Sequence, residues 1–197
     1  MSRYPRERIE ARLYSMALAS AYRIFGFSHL EEPLKIQPSP SRFCDGALGY
    51  GVLYAAVSFE TCVVETLVRD RFARRTRREL PLAAILVRAW AHIATKPHHV
   101  LNLLDLRGSG CVEIGAPTDA AHARHLAAGQ ALGRAVYEEH RDVDGFIYVS
   151  RLTGDDCIAV FDRGADKLTV LEAGELKDRP QLPKLLEQHR IQLVDED

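Results

Sequence analysis

Three residues in the stretch RFCDGALGYGVLYAAVSFETCVVE could act on one substrate: Arg42, Tyr54 and Glu65, spaced 12 and 11 residues apart. A guanidinium grips phosphate through forked hydrogen bonds, and an aromatic phenol stacks on a ring or orients a sugar hydroxyl. A carboxylate stabilises positive charge as it develops. The spacing sets the three across a Gly-rich loop, a strand and the first turns of a helix, a candidate ligand cradle.

The loop Gly46–Gly51 (GALGYG) holds three glycines in six residues but matches neither GxGxxG nor GxxxxGK[ST], so it reads as a plain turn or as a weak phosphate loop. Val52–Val57 has the composition of a buried strand, and Ser58 is a suitable N-cap for a helix with Glu60 in its first turn. Glu65 falls at the border of that helix's apolar stripe, where a carboxylate needs a partner. A structural salt bridge and a working carboxylate both meet that need.

Residues 6–19 (RERIEARLYSMALA) are expected to form a helix and Ala21–Gly26 a strand. Period 2 sets Tyr22 and Ile24 on one face of the strand and Arg23 and Phe25 on the other, so Arg23 meets either solvent or a polar pocket. Glu31–Ser41, with three prolines, reads as an extended loop delivering the chain to Arg42. Leu82–Ala89 and Val100–Leu106 read as strands. An Ala-rich helix is expected over residues 119–140, where Gly129 and Gly133 suggest close packing against a sheet. Phe146–Ser150 reads as a strand after the Asp144-Gly145 turn, with Ser150 ending its core face either at a site or as a turn residue. Strands at Cys157–Phe161 and Lys167–Glu172, a short helix at Leu182–His189 and a frayed acidic end over Asp195–Asp197 complete the expectation.

The chain of 197 residues fits one domain over 1–197, with residues 1–19 as a helical extension. An apolar fraction of 47% and a net charge of -1 give no global attraction to nucleic acid or anionic membrane. The charged N-terminus is unlike a secretory signal, and Leu80–Val87 is too short to cross a bilayer, so a cytoplasmic protein without membrane association is expected. Cys44, Cys62, Cys111 and Cys157 are scattered, as reduced buried thiols would be. His122 and His125 lack a third ligand at a recognisable spacing, so no metal is assigned. Six arginines lie between Arg69 and Arg78: Arg69, Arg71, Arg74, Arg75, Arg77 and Arg78. They read as helix-end cations, a solvated face or a contact surface for an acidic protein in preference to nucleic acid.

The order YRIFG, SRF, GVLYAAVSFETCVVE, an Ala-rich helix, DGFIYVSR and CIAVFDR resembles the RES-domain family, toxins of bacterial Xre–RES type II toxin–antitoxin systems, from about residue 20 to 172. The Arg, Glu and Ser that name the family fall on Arg42, Glu65 and Ser150, while Ser41 and Cys44 stand where the family often has Gly and Asn. The resemblance implies an α+β fold, a mixed central sheet with flanking helices similar to ADP-ribosyltransferase toxins. It implies NAD+ as substrate, cleaved between nicotinamide and ribose by hydrolysis or phosphorolysis. Glu65 would stabilise the ribose cation, and Arg42 with Arg23 would bind the phosphates. Tyr54 would stack on nicotinamide or orient a ribose, and Ser150 would touch a ribose oxygen or hold Glu65. A cognate Xre-type antitoxin that inserts a C-terminal segment into the cleft, and a homodimer or larger toxin–antitoxin complex, are also implied. The alternatives are a mono-ADP-ribosyltransferase acting on a cellular protein and a non-enzymatic binding module.

Overall fold

The computed structural model describes residues 3–47, 49–72, 75–122 and 125–195. The strands are β1 (Leu13–Met16), β2 (Ala21–Gly26), β3 (Val52–Ala56), β4 (Glu79–Pro81), β5 (Arg88–Thr95), β6 (Leu101–Asp105), β7 (Gly145–Val149), β8 (Asp156–Phe161), β9 (Leu168–Glu175) and β10 (Gln192–Val194). The α-helices are α1 (Arg6–Ala11), α2 (Phe59–Val63), α3 (Ala83–Leu86), α4 (Gly110–Ile114), α5 (Ala127–Glu139) and α6 (Leu182–Gln188). This is the mixed α+β architecture that the resemblance implied.

Eight strands form one sheet in the order β1-β6-β7-β8-β3-β2-β5-β9, in which only the β6–β7 pair is parallel among the described residues. The sheet is curled. One apolar cluster gathers Ala89, Ala91 and Ile93 of β5 with Leu101 and Leu103 of β6, although four strands separate β5 from β6. Leu53, Ala55, Ile147, Ile158 and Val160 face the same inner core, and Leu34 and Ile36 of the proline-bearing loop pack against it.

The alternate residues of the same strands point outward, as the pleat requires. Tyr54, Phe146, Ala159 and Phe161 lie beneath α5, and Ala56, Cys157, Tyr22 and Ile24 lie beneath α2.

Several sequence expectations are corrected. Residues 6–19 are not one helix: α1 ends at Ala11, and Leu13–Met16 pair antiparallel with Leu104–Leu101. Edge pairing with β6 supplies backbone partners that a solvent-exposed helix of mixed polarity does not outcompete. Leu82–Ala89 is not a strand, because Ala83–Leu86 forms a helical turn and the strand starts at Arg88. A short apolar run carries no period that separates the two. The Ala-rich helix starts at Ala127, after turns at Ala120–His122; residues 123 and 124 of the expected span lie outside the described residues. Arg74 and residues 196–197 also lie outside them, and Arg71, Arg75 and Arg77 fall outside regular helix and strand.

Candidate active site

Glu65 sits where helix geometry changes. Ser58 caps α2, its Oγ accepting the Thr61 N–H at 3.1 Å. After Val63 the chain widens into a π-helical stretch, Val64–Val68, closed by the Arg69 N–H donating to Val64 O at 2.7 Å. Such wide turns are rare and concentrate at functional sites. The Ser150 hydroxyl donates to Glu65 Oε1 at 2.7 Å. Ser150 is 2% exposed, and its oxygen accepts from the Leu152 N–H at 3.1 Å, which fixes the hydroxyl as a donor toward the carboxylate.

Arg42 stands across from it on a tight turn. The Tyr54 hydroxyl donates to Ser41 Oγ at 3.0 Å and accepts the Phe43 N–H at 3.0 Å, holding the residues on both sides of Arg42. The Tyr50 hydroxyl donates to Phe43 O at 2.7 Å, and Gln130 Nε2 donates to Ser41 O at 3.1 Å and Cys44 O at 3.3 Å. Gly129 and Gly133 make room for this turn. A Cβ on Gly129 would lie 2.5 Å from Arg42 O, and one on Gly133 would lie 2.1 Å from Phe43 O. The two glycines of α5 therefore pack against the Arg42 turn, and the expectation of a sheet contact is corrected.

A cavity of about 360 Å³ opens between these walls, within the range of small-ligand sites. Arg42, Tyr54 and Glu65 all line it, and Ser150 reaches it through Glu65. Tyr148, Cys62 and Cys157 line it too, with His122, Arg69 and Arg151. Burial lowers the Arg42 pKa from the usual arginine value, with nearby Arg69 adding to the effect. Burial pushes the Tyr54 phenol up to about 12 and the Cys157 thiol up to about 12, the latter helped by Glu65. Both are thus protonated at neutral pH, so Cys157 is no ready nucleophile and Tyr54 keeps its proton for Ser41.

Arg23 is not brought to this cavity. It faces the inner core with Phe25, over whose ring its guanidinium sits 4.9 Å away, and Nη1 donates to Pro33 O at 2.7 Å. Its Nε has no hydrogen-bond partner, and burial lowers its pKa to about 10. The sequence separated the two faces of β2 but held no sign of which one the proline-bearing loop would cover.

The sequence reasoning also missed Arg69, Arg151 and His122 as cavity residues. Arg69 was visible only as the first of a basic run. Arg151 follows Ser150 directly. His122 is held by a 3.0 Å contact between Nε2 and Val149 O, a long-range contact that no local pattern signals. Among the described residues no group of three His, Cys, Asp or Glu side chains could hold a metal ion, and no helix is long and apolar enough to cross a membrane.

The arrangement suits a ligand with an anionic end and a centre that becomes cationic: a guanidinium on one wall, an oriented carboxylate on the other and aromatic surface between. Comparison with known proteins agrees with the resemblance read from the sequence. The RES domain family model matches residues 20–180. "Probable toxin y4kH" of Sinorhizobium fredii (strain NBRC 101917 / NGR234) is 38% identical over 95 residues, 48% of this chain and 75% of that protein. In fold the chain is similar to a protein in the crystal structure of the M. tuberculosis MbcT-MbcA toxin-antitoxin complex, with a TM-score of 0.60 and 19% identity, covering 93% of this chain and 95% of that chain. Because the RES domain match takes in both cavity walls, from Arg42 through Glu65 to Ser150, this chain belongs to the RES domain family.

Proposed function

We propose that this chain is the toxin of a toxin–antitoxin pair and degrades NAD+ by cleaving the bond between nicotinamide and ribose. The observation that carries the proposal is the Ser150-bonded Glu65 carboxylate on the wall of a cavity that Arg42 also lines. Family membership supports it, as do the names of a probable toxin among the relatives and of a toxin–antitoxin complex among the similar folds.

Nicotinamide leaves as a neutral molecule once the electron pair of the C1′–N bond passes to the pyridinium nitrogen, so departure needs no general acid. The ribose meanwhile gains oxocarbenium character. Glu65 faces that charge and hydrogen-bonds a ribose hydroxyl, in the manner of a carboxylate in glycoside cleavage. Ser150 keeps the carboxylate aimed. Arg42 holds the pyrophosphate, joined at the mouth by the exposed Arg69 and Arg151. An oxygen nucleophile then bonds to C1′: water, giving up a proton to solvent, yields hydrolysis, and inorganic phosphate yields phosphorolysis. No step uses a metal. The partner is a cognate antitoxin of the Xre type that covers the mouth, and the site of action is the cytoplasm, where NAD+ is available.

The test is to incubate purified protein with NAD+, with and without phosphate, and with cell lysate. Free ADP-ribose identifies a hydrolase, phosphorylated ADP-ribose a phosphorylase, and labelled protein a mono-ADP-ribosyltransferase. No nicotinamide release under any condition would reject the proposal.

A further inference from the structure

Outside the cavity, the loop that carries Ser150 is tied to the helix that carries Glu65 by a compact polar cluster. The Ser58 hydroxyl and the Thr61 hydroxyl each donate to Asp155 Oδ2 at 2.7 Å. Thr61 is fully buried, and its Oγ1 lies 2.9 Å from Thr153 Oγ1. The loop is closed on itself by Ser150 N–H donating to Asp155 O at 2.8 Å and Gly154 N–H donating to Ser150 O at 3.0 Å. Ser58 and Thr61 belong to the first turn of the helix that leads to Glu65, while Thr153 and Asp155 belong to the loop that starts at Ser150. The bonds between the two groups hold the start of that helix against the loop that starts at Ser150.

We propose that Asp155 is a positioning residue: by clamping Ser58 and Thr61 it holds the Ser150 loop in register with the helix, and so keeps the Ser150 hydroxyl on Glu65. The inference deepens the reading of this cavity as an NAD+-cleaving site and rests on it. Supporting groups of this kind set how accurately a reacting carboxylate is held, and a small loss of aim is felt in turnover before it is felt in binding. Since both hydroxyls bond the same oxygen, Oδ2, an amide oxygen at this position can accept both.

The test is a double-mutant cycle on Asp155 and Ser150, read by kcat, KM and melting temperature, alongside amide exchange at Leu152 and Thr153. Asp155→Ala is expected to lower kcat about tenfold with KM unchanged, and Asp155→Asn to restore most of it. In a Ser150→Ala background, Asp155→Ala should cost no further turnover, because its effect passes through the Ser150 hydroxyl. Additive losses in kcat, or loss of melting temperature without a change in kcat, would overturn the positioning role. Amide exchange gives an answer that does not depend on activity: Asp155→Ala is expected to speed exchange at Leu152 and Thr153, and unchanged exchange would overturn the proposal. Failure of the wild type to release nicotinamide would instead reject the reading of the site's function.

Discussion

The two walls of the cavity are built by different means. The Arg42 wall is a backbone turn held by fixed side chains: Tyr54, Tyr50 and Gln130 bond its amide and carbonyls, and Gly129 and Gly133 let it lie directly on α5. The Glu65 wall is a relay of side chains, hydroxyl to carboxylate, across a loop and a π-helical turn. Bonds to backbone fix where a charge stands, which suits a binding group. A chain of hydroxyls tunes how one carboxylate is oriented, which suits a reacting group. Damage to the first wall should therefore weaken binding, and damage to the second should slow chemistry.

The largest effect is expected at Glu65→Gln, which removes the charge proposed to face the ribose: kcat should fall by at least about a hundredfold with little change in KM. An equal rise in KM would erase the contrast between the walls. Arg42→Ala should show the reverse, KM rising by about 10- to 100-fold with kcat nearly kept, as expected for the loss of charged hydrogen bonds. Unchanged affinity would remove Arg42 from the phosphate site. Gly133→Ala forces a methyl group against Phe43 O and should cost about 1–3 kcal/mol in unfolding free energy, measured by denaturant titration, and raise KM as the turn shifts. A variant with full stability and normal KM would show that α5 does not hold the turn.

The smallest effect is expected at Arg23→Met. A buried guanidinium with an unpartnered Nε is dispensable when a side chain of similar size fills its place. Turnover and KM should stay within about twofold of wild type by the same argument. A large rise in KM would bring Arg23 back to the substrate and weaken the separation of the two sheet faces.

Much of this was legible in the sequence where the information is local. Alternation separated the two faces of β2, and Ser150 was readable as the residue at the end of the strand that became β7. Ser58 was readable as the cap that starts the helix. The strand lengths of β3 and β8 were nearly right. The missing parts depend on contacts between distant segments. Strand β1 pairs with β6 some ninety positions away, as Leu13 faces Leu104, and nothing near Leu13 announces that partner. Tyr54 was readable as an aromatic hydroxyl but not as the clamp on the Arg42 turn, because its partners lie 11 and 13 residues back on another element. Ser41 and Cys44 contribute to the same clamp: Ser41 Oγ accepts from Tyr54, and Cys44 Sγ lies 3.2 Å from Tyr50 O.

In the proposed division of labour, Glu65 performs the cleavage while Arg42 holds the substrate. The most direct measurement pairs NAD+ titration calorimetry with nicotinamide release on the same folded sample of Glu65→Gln. NAD+ binding is expected to stay close to that of wild type and nicotinamide release to fall near background. Release at more than about a tenth of the wild-type rate would contradict it, since a carboxylate that faces the developing charge contributes at least a hundredfold.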